Sequence, residues 1–214
     1  MSEPTGNLFI VAAPSGAGKS SLISALLQRA REGQLFNLAE LSVSHTTRQP
    51  RDGEENGVHY HFVDEAKFNS MIAENAFYEH AKVFDNFYGT SKQAISNKLE
   101  DGIDVFLDID WQGARQIKAE NPDVVSIFVL PPSKDELNAR LVSRGSDSDA
   151  VIESRMTKAK DEMSHYGEFD YLIVNDNFTH ALDELVTIVK ASSLQTSKQQ
   201  QRHQSLIVSL LGAN

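Results

Sequence analysis

Hydrophobic residues follow two spacings along this chain, one typical of strands and one typical of helices. Residues 8–12 are all apolar, which predicts a buried strand. A proline and glycine segment at residues 14–18 ends that run, and apolar residues then recur at the spacing of an amphipathic helix. Because strand and helix patterns keep alternating, the sequence predicts an α/β fold with a parallel sheet flanked by helices.

The predicted core elements lie on both sides of a central segment of different composition. Strands are predicted at residues 8–12, 38–44, 105–109, 124–130 and 171–174. Helices are predicted at residues 20–31, 91–100, 112–120, 133–144, 150–165 and from about residue 179. The polar, glutamine-rich stretch that follows, residues 195–204, predicts either disorder or an extension of the last helix.

The central segment predicts a small insertion rich in β-structure. Residues 45–53 are polar and contain proline and glycine, so they predict a loop. Residues 58–63 and 77–84 predict strands, with a short helix at residues 65–73 between them.

The turn after the first strand has the pattern of a phosphate-binding P-loop, G-x-x-x-x-G-K-[ST], except that Ala13 replaces the first glycine. Its backbone N–H groups and the following helix dipole would attract phosphate, Lys19 would reach the β- and γ-phosphates, and Ser20 would ligate Mg²⁺. The alternative is a Gly/Ser turn with a solvated lysine, which the position between a strand and a helix disfavours. The predicted ATP-binding residues here are Ala13, Pro14, Ser15, Gly16, Ala17, Gly18, Lys19 and Ser20.

Two aspartates end the strand predicted at residues 105–109. In P-loop proteins an acid at this place holds Mg²⁺ or its water shell. The alternative is a pair of turn-forming aspartates, but with a P-loop upstream the metal role is favoured for Asp108.

Arg140, Arg144 and Arg155 flank a charged loop near residue 147. Arg140 and Arg144 share one helix face, and an arginine pair suits bidentate contact with phosphate. The alternative is a solvated face with ion pairs to nearby acids, and spacing alone favours that alternative.

The composition limits the classes of function. The formal charge of −10 argues against a general surface for nucleic acid or anionic membrane. The absence of cysteine excludes disulfides, a thiol nucleophile and cysteine metal ligands. Residues 1–7 lack a basic leader pattern, and the longest apolar runs have strand length. We therefore expect a soluble, cytoplasmic protein.

Six segments together make the chain similar to guanylate kinase, close to its bacterial members. They occur in that family's order and spacing, between about residues 6 and 188. Ala13 departs from the commonest first glycine, and Thr90 stands where some members have serine. The segments are APSGAGKSSL, SVSHTTRQPRDGEENGVHY, EHAKVFDNFYGTS, VFLDIDWQG, RLVSRG and IVNDN.

The resemblance implies transfer of the γ-phosphoryl group of MgATP to GMP in purine nucleotide metabolism, giving ADP and GDP. It implies Mg²⁺ as cofactor and ATP and GMP as partners, with no nucleic acid or membrane, and a homo-oligomer as one option. The implied parts are a P-loop core (1–45, 91–138 and 158–214), a GMP-binding insertion (46–90) and a lid (139–157).

The resemblance also implies roles for individual residues. Catalytic roles fall to Lys19, Arg48, Arg140, Arg144 and Arg155. The GMP phosphate would contact Arg48, Arg51, Tyr60 and Tyr88, and guanine would face Ser44, Glu79, Thr90 and Asp110. Asn175 would lie on the adenine side of ATP, and Ser20 and Asp108 would hold Mg²⁺, the latter directly or through water.

Two other functions share parts of this pattern. Another P-loop kinase, such as ribose 1,5-bisphosphate kinase, would not be expected to carry the guanine-facing set Ser44, Glu79 and Thr90. Guanylate-kinase-like scaffold modules bind phosphopeptides and usually have a degraded P-loop, whereas Lys19 and Ser20 are intact here. A kinase acting on GMP is therefore the favoured prediction.

Overall fold

The fold is organised around a five-stranded parallel sheet. The structure, a computed structural model, describes residues 6–83, 85–143 and 149–212. With elements numbered in chain order, the sheet contains β1 (Leu8–Ala12), β2 (Ala39–Leu41), β7 (Asp104–Asp108), β8 (Val125–Leu130) and β9 (Tyr171–Val174). The strand order is β2-β7-β1-β8-β9, and all four pairings are parallel. The predicted α/β fold class is confirmed.

β1 lies at the centre of this sheet, and all five of its residues are buried. Phe9 is in register with Phe106 on one side and with Val125 on the other. The rings of Phe9 and Phe106 stack with their centroids 4.8 Å apart. A parallel strand covered on both faces needs apolar side chains on both faces, which explains why residues 8–12 show no polar alternation.

Helices cover both faces of the parallel sheet. α1 and α7 pack on one face through Leu22, Leu26 and Leu185. α3 and α4 pack on the opposite face through Ile95 and Ile117. The bounds of these and the neighbouring helices are α1 (Lys19–Arg31), α3 (Lys92–Glu100), α4 (Trp111–Glu120), α5 (Lys134–Ser143), α6 (Asp149–Ser164) and α7 (Phe178–Ser193).

A second sheet of four strands is formed within residues 45–91. α2 (Glu65–Ala73) packs on it through Phe68, whose ring stacks on that of Phe77. These two residues and Met71 form a hydrophobic cluster of their own. The strands are β3 (His45–Thr46), β4 (His61–Phe62), β5 (Phe77–Val83) and β6 (Asn86–Ser91), in the order β4-β3-β6-β5.

The second sheet differs from the prediction at three places. The strand predicted at residues 58–63 forms only over His61–Phe62, and a turn at residues 57–59 precedes it. The loop predicted at residues 45–53 is wrong for its first two residues, which form β3. β6 was not predicted, because its sequence NFYGTS shows no alternation of apolar and polar residues. Thr46 pairs with Tyr88 across these two strands, 42 positions along the chain. Both segments become strands because they pair with segments that are distant in the sequence, and the local pattern of residues does not contain that information.

The polar tail is helical. It forms α8 (Thr196–Arg202) and α9 (Gln204–Leu211) after α7. Arg202 donates to the side chain of Asn37 at 2.9 Å, and Lys198 donates to the carbonyl of Gly6 at 3.0 Å. These contacts dock α8 against the core. No helix in the described part of the chain combines the length and apolar character that crossing a bilayer requires.

The parallel sheet brings three predicted site residues to one edge. Lys19 begins α1 after the loop that leaves β1, Asp108 is the last residue of β7, and Asn175 follows β9 directly. Since the carboxyl ends of parallel strands meet at one edge of a sheet, residues far apart in the sequence converge there.

Candidate active site

The loop between β1 and α1 presents the N-terminus of α1 to a pocket of about 340 Å³. Gly16 and Gly18 adopt left-handed φ angles of 94° and 96°. Gly18 is the N-cap residue of α1, and no side chain caps the helix there. The first turn of α1 also contains no acidic side chain. This helix end therefore offers backbone donors and a positive dipole end to an anion.

The side chain of Asn175 explains why glycine is required at position 18 beyond the φ angle. A Cβ atom on Gly18 would lie 2.3 Å from Asn175 Nδ2. Asn175 is 4% exposed, and its Nδ2 donates to the carbonyl of Ala17 at 2.7 Å. Asn175 thus braces the P-loop from the end of β9.

Lys19 and Ser20 both contact the carboxylate of Asp108. Lys19 Nζ lies 2.5 Å from Asp108 Oδ1 and 3.3 Å from the carbonyl oxygen of Ile109. Ser20 Oγ donates to Asp108 Oδ2 at 3.2 Å. A hydroxyl and a carboxylate are oxygen ligands that suit Mg²⁺. Within the described residues no group of three or more His, Cys, Asp or Glu side chains could hold a metal by itself. A Mg²⁺ here would therefore need additional ligands from phosphate and water.

Arg140 combines the two arrangements considered for the lid arginines. Its Nε donates to Glu136 at 2.8 Å, one helical turn earlier, as the solvated-face alternative expected. Its Nη2 donates to the carbonyl of Asn175 at 3.2 Å, and its Nη1 lies 3.5 Å from the carbonyl of Ala17. Arg140 therefore lies against the P-loop. Arg155 is half-buried on α6, and Arg144 falls outside the described residues.

A second cluster of cationic and phenolic side chains lies on the small sheet. The Arg48 guanidinium donates to Glu54 Oε1 at 2.8 Å and lies 5.4 Å from the centroid of the Tyr60 ring. The Tyr60 and Tyr88 rings meet edge to face with centroids 6.0 Å apart. The backbone N–H of Arg51 donates to Glu54 Oε2 at 2.8 Å. The side chain of Arg48 and the backbone of Arg51 thus both donate to the carboxylate of Glu54.

Glu54 stays ionised in this arrangement. The hydrogen bond from Arg48 lowers the pKa of Glu54 to about 2, and the hydrogen bond from the Arg51 backbone adds to the shift. Because the folded-state pKa is depressed, the ion pair is complete at neutral pH and is lost only as the pH falls toward that value.

The predicted guanine-facing residues include a hydrogen-bonded pair formed by the buried Thr90 and the half-buried Glu79. Thr90 is 1% exposed and donates from Oγ1 to Glu79 Oε1 at 2.6 Å. Burial raises the pKa of Glu79, the Thr90 hydrogen bond opposes that shift, and the negative charge of Asp110 adds to it. Asp110 caps α4 through the backbone N–H of Gly113 at 2.9 Å. Ser44 is half-buried just before β3.

Asp110 links this pair to the P-loop. Its side chain lines the P-loop pocket, and its charge also acts on Glu79 in the second sheet. Glu79 lies beside the first turn of α4, since a Cβ atom on Gly113 would be 3.6 Å from its Cγ. The anion-binding helix end and Glu79 are therefore both close to the start of α4, which Asp110 caps.

Comparison with known proteins agrees with this geometry. The family model described as guanylate kinase matches residues 5–192.

The chain belongs to the guanylate kinase family.

Two relatives illustrate how closely it resembles bacterial guanylate kinases. The guanylate kinase of Pseudoalteromonas translucida (strain TAC 125) is 56% identical over 211 residues, which cover 99% of this chain and 100% of that protein. The guanylate kinase of Escherichia coli (strain K12) is 58% identical over 206 residues, which cover 96% and 98%. The crystal structure of guanylate kinase from Anaplasma phagocytophilum superposes with a TM-score of 0.68 at 30% identity, covering 93% of this chain and 94% of that one.

Two acidic residues of this guanylate kinase site were not predicted. Glu54 accepts hydrogen bonds from the side chain of Arg48 and from the backbone N–H of Arg51. Its position three residues after Arg51, in a turn with proline and glycine, could have indicated this contact. Glu162 lines the P-loop pocket from α6, seven residues after Arg155 and thus on the same helix face. Its helical spacing from Arg155 could have pointed to the pocket, but its contact with the P-loop depends on the tertiary fold.

Proposed function

We propose that this chain transfers the γ-phosphoryl group of ATP to GMP, giving ADP and GDP. The observation that carries this proposal is the position of Asp110, which lines the P-loop pocket and also acts by its charge on Glu79 of the second sheet, where a second cationic cluster lies. One cluster offers Lys19 and backbone N–H groups, and the other offers Arg48 with Tyr60. Two separate sites for anions, with Asp110 between the P-loop and the second sheet, are what a transfer between two nucleotides requires.

On the ATP side, the phosphates would lie along residues 13–20, with Lys19 at the β- and γ-phosphates. Arg140 and Arg155 would approach the transferred group from α5 and α6, and Asn175 would lie toward adenine while bracing the loop. Ser20 and Asp108 would hold Mg²⁺, directly or through water. When bound, that ion would supply further neutralisation of phosphate charge.

On the GMP side, the phosphate would contact Arg48, Arg51, Tyr60 and Tyr88. Guanine would face Ser44, Glu79, Thr90 and Asp110. Since the Thr90 hydroxyl already donates to Glu79, Ser44 is the hydroxyl left to donate to guanine O6. Glu79 keeps an oxygen pair for the two donors of the guanine edge.

The reaction needs no general base. The phosphate of a nucleoside monophosphate loses its second proton with a pKa of about 6, so the attacking oxygen is mostly ionised at neutral pH. That oxygen forms a bond to the γ-phosphorus while the bond from this phosphorus to the β–γ bridging oxygen breaks, and ADP leaves. The protein must align the two phosphates and neutralise their charge, which Lys19 and the arginines can do.

A coupled assay of ADP release across the nucleoside monophosphates tests this function directly. With ATP as donor we expect rapid turnover with GMP and little with AMP, CMP or UMP. If the chain binds ATP but releases ADP with none of them, the phosphopeptide-binding alternative gains support. Turnover with AMP equal to that with GMP would contradict a guanylate kinase.

We place this reaction in the cytoplasm, in the recycling of GMP within purine nucleotide metabolism. The net charge of −10 supports the absence of a nucleic-acid or anionic-membrane partner. A homo-oligomer remains one option for its assembly.

Glu54 is expected to position the GMP phosphate contacts. Glu54→Gln should raise the KM for GMP by about tenfold, since a hydrogen bond to a charged group contributes about 1.5–3 kcal/mol. The KM for ATP should stay unchanged, because neither Glu54 nor Arg48 lines the P-loop pocket. Steady-state kinetics at saturating ATP measure the effect.

Glu55→Gln is the matched control, since Glu55 is an exposed neighbour. Equal effects of both variants, or tighter GMP binding in Glu54→Gln, would contradict the positioning role.

The two nucleotides are expected to close the cleft together. The GMP-binding part and the lid must approach the core to exclude water, because an open site would hydrolyse ATP. Small-angle scattering should give a smaller radius of gyration with GMP plus a non-hydrolysable ATP analogue than with either ligand alone. Identical scattering with and without both ligands would rule closure out.

A further inference from the structure

Glu162 contacts the same loop that the proposed function assigns to ATP phosphates. It lies in the last turn of α6 and reaches the P-loop pocket together with Asp108 and Asp110. Ser15 and Lys19 line the same pocket, and the backbone N–H of Ser15 and the charge of Lys19 both favour the ionised form of Glu162. Burial raises the pKa of Glu162, and those two interactions oppose that shift. A carboxylate of the chain itself therefore lies in the pocket that the phosphates of ATP would enter.

A carboxylate oxygen and a phosphate oxygen are the same kind of partner for a backbone N–H. Both are anionic acceptors, and the end of α1 favours either one. They cannot occupy one donor together, and close approach of two anions is unfavourable. We infer that Glu162 is a resident anion of the P-loop, which phosphate displaces when ATP binds. This inference rests on the proposed function only in taking ATP as the entering nucleotide.

Glu162 and Arg155 lie on the same helix, so a movement of α6 that accompanies the displacement of Glu162 would also move Arg155. The two residues lie seven positions apart, so they project from the same face of α6. The end of α6 also contacts the single tryptophan of the chain, because the His165 ring stacks on Trp111 with centroids 3.5 Å apart. His165 directly follows α6, so a shift of this helix would change the environment of Trp111. The fluorescence of the intact protein therefore reports the displacement.

The test compares Glu162→Gln with Asp161→Asn. Glutamine keeps the size of the side chain but removes the competing charge, and the exposed neighbour Asp161 loses the same charge. Calorimetric titration should show ATP binding at least about threefold tighter in Glu162→Gln than in the wild type, because less free energy is spent on displacing a resident ligand. Asp161→Asn should stay within about twofold of the wild type, because Asp161 does not line the pocket and its exposed charge is screened by solvent and salt. Thermal unfolding of both variants checks that they are folded.

The outcomes separate this inference from the proposed function. ATP affinity in Glu162→Gln that equals or falls below the wild-type value would overturn it, as would an equal gain in Asp161→Asn. Unchanged Trp111 emission at saturating ATP would overturn the displacement of α6. Failure of the wild type to bind ATP at all would instead contradict the proposed function. Tighter binding confined to Glu162→Gln, with a change of Trp111 emission on ATP addition, is the expected result.

Discussion

Replacing Lys19 with alanine should lower kcat for GMP phosphorylation by about two to three orders of magnitude, the usual cost of removing a group that stabilises developing charge. The Lys19 ammonium lies at the start of α1, between the P-loop and Asp108. There it would contact the oxygens on which charge grows as the γ-phosphoryl group moves. The binding of GMP should change little, because the residues proposed for GMP, apart from Asp110, lie between positions 44 and 90 and do not line the P-loop pocket. Steady-state ADP release and GMP titration separate the two effects.

Arg31→Ala provides the matched control for this experiment. Arg31 is an exposed cation in the last turn of the same helix, about 18 Å from Lys19 at 1.5 Å per residue. The Arg31→Ala substitution removes one positive charge at a position that does not line the pocket, so kcat should remain near the wild-type value. A Lys19→Ala protein that is folded and retains wild-type turnover would show that the P-loop assignment is wrong.

The parts of the site that sequence predicts well are those encoded in one short segment. The apolar run of β1, the glycines of the loop and the first turn of α1 are contiguous, and each has a local physical cause. Asp108 could be predicted for a similar reason, because it ends an apolar strand. Contact between Asp108 and Lys19 then follows from the parallel sheet, which brings strand ends together.

The contacts that sequence does not predict depend on side chains from distant segments. Asn175 fills the space beside Gly18, although the two residues are 157 positions apart in the sequence. The steric need for glycine at position 18 is therefore visible only in the folded structure. Arg140 pairs with Glu136 as its helical spacing indicates, but its contact with the carbonyl of Asn175 needs β9 beside α5. The strand β6 likewise depends on pairing with β5 and β3.

Selection of guanine over adenine should depend on Glu79. Guanine presents two donors, N1–H and the N2 amine, and one acceptor, O6, whereas adenine presents an acceptor at N1 and a donor at C6. An ionised carboxylate only accepts hydrogen bonds and has two oxygens, so it matches both guanine donors. Sites built on such hydrogen bonds reject the wrong partner by roughly 10⁴ to 10⁵ in kcat/KM. We therefore expect the wild-type protein to discriminate against AMP by a factor of this order.

The surroundings of Glu79 support this role but also make the site sensitive to the loss of charge. Burial raises the pKa of Glu79, while the hydrogen bond from the buried Thr90 hydroxyl favours the ionised form. An ordinary solvated glutamate would need no such partner. The alternative, a glutamate with no part in base selection, predicts that Glu79→Gln leaves the ratio of GMP to AMP turnover unchanged.

Glu79→Gln should weaken GMP selectively, by at least tenfold in kcat/KM (~1.4 kcal/mol). The amide can accept with its oxygen, but its NH₂ group then faces a guanine donor, so one of the two hydrogen bonds becomes a repulsive contact. The affinity for ATP should be unchanged, since the P-loop donors are untouched. Glu65→Gln, at the exposed start of α2, removes the same charge from the helix that packs on the small sheet and should keep wild-type kinetics. The ratio of kcat/KM for GMP to that for AMP, measured in the wild type, Glu79→Gln and Glu65→Gln, tests whether Glu79 selects the base. A ratio in Glu79→Gln equal to that of the wild type would remove Glu79 from base recognition.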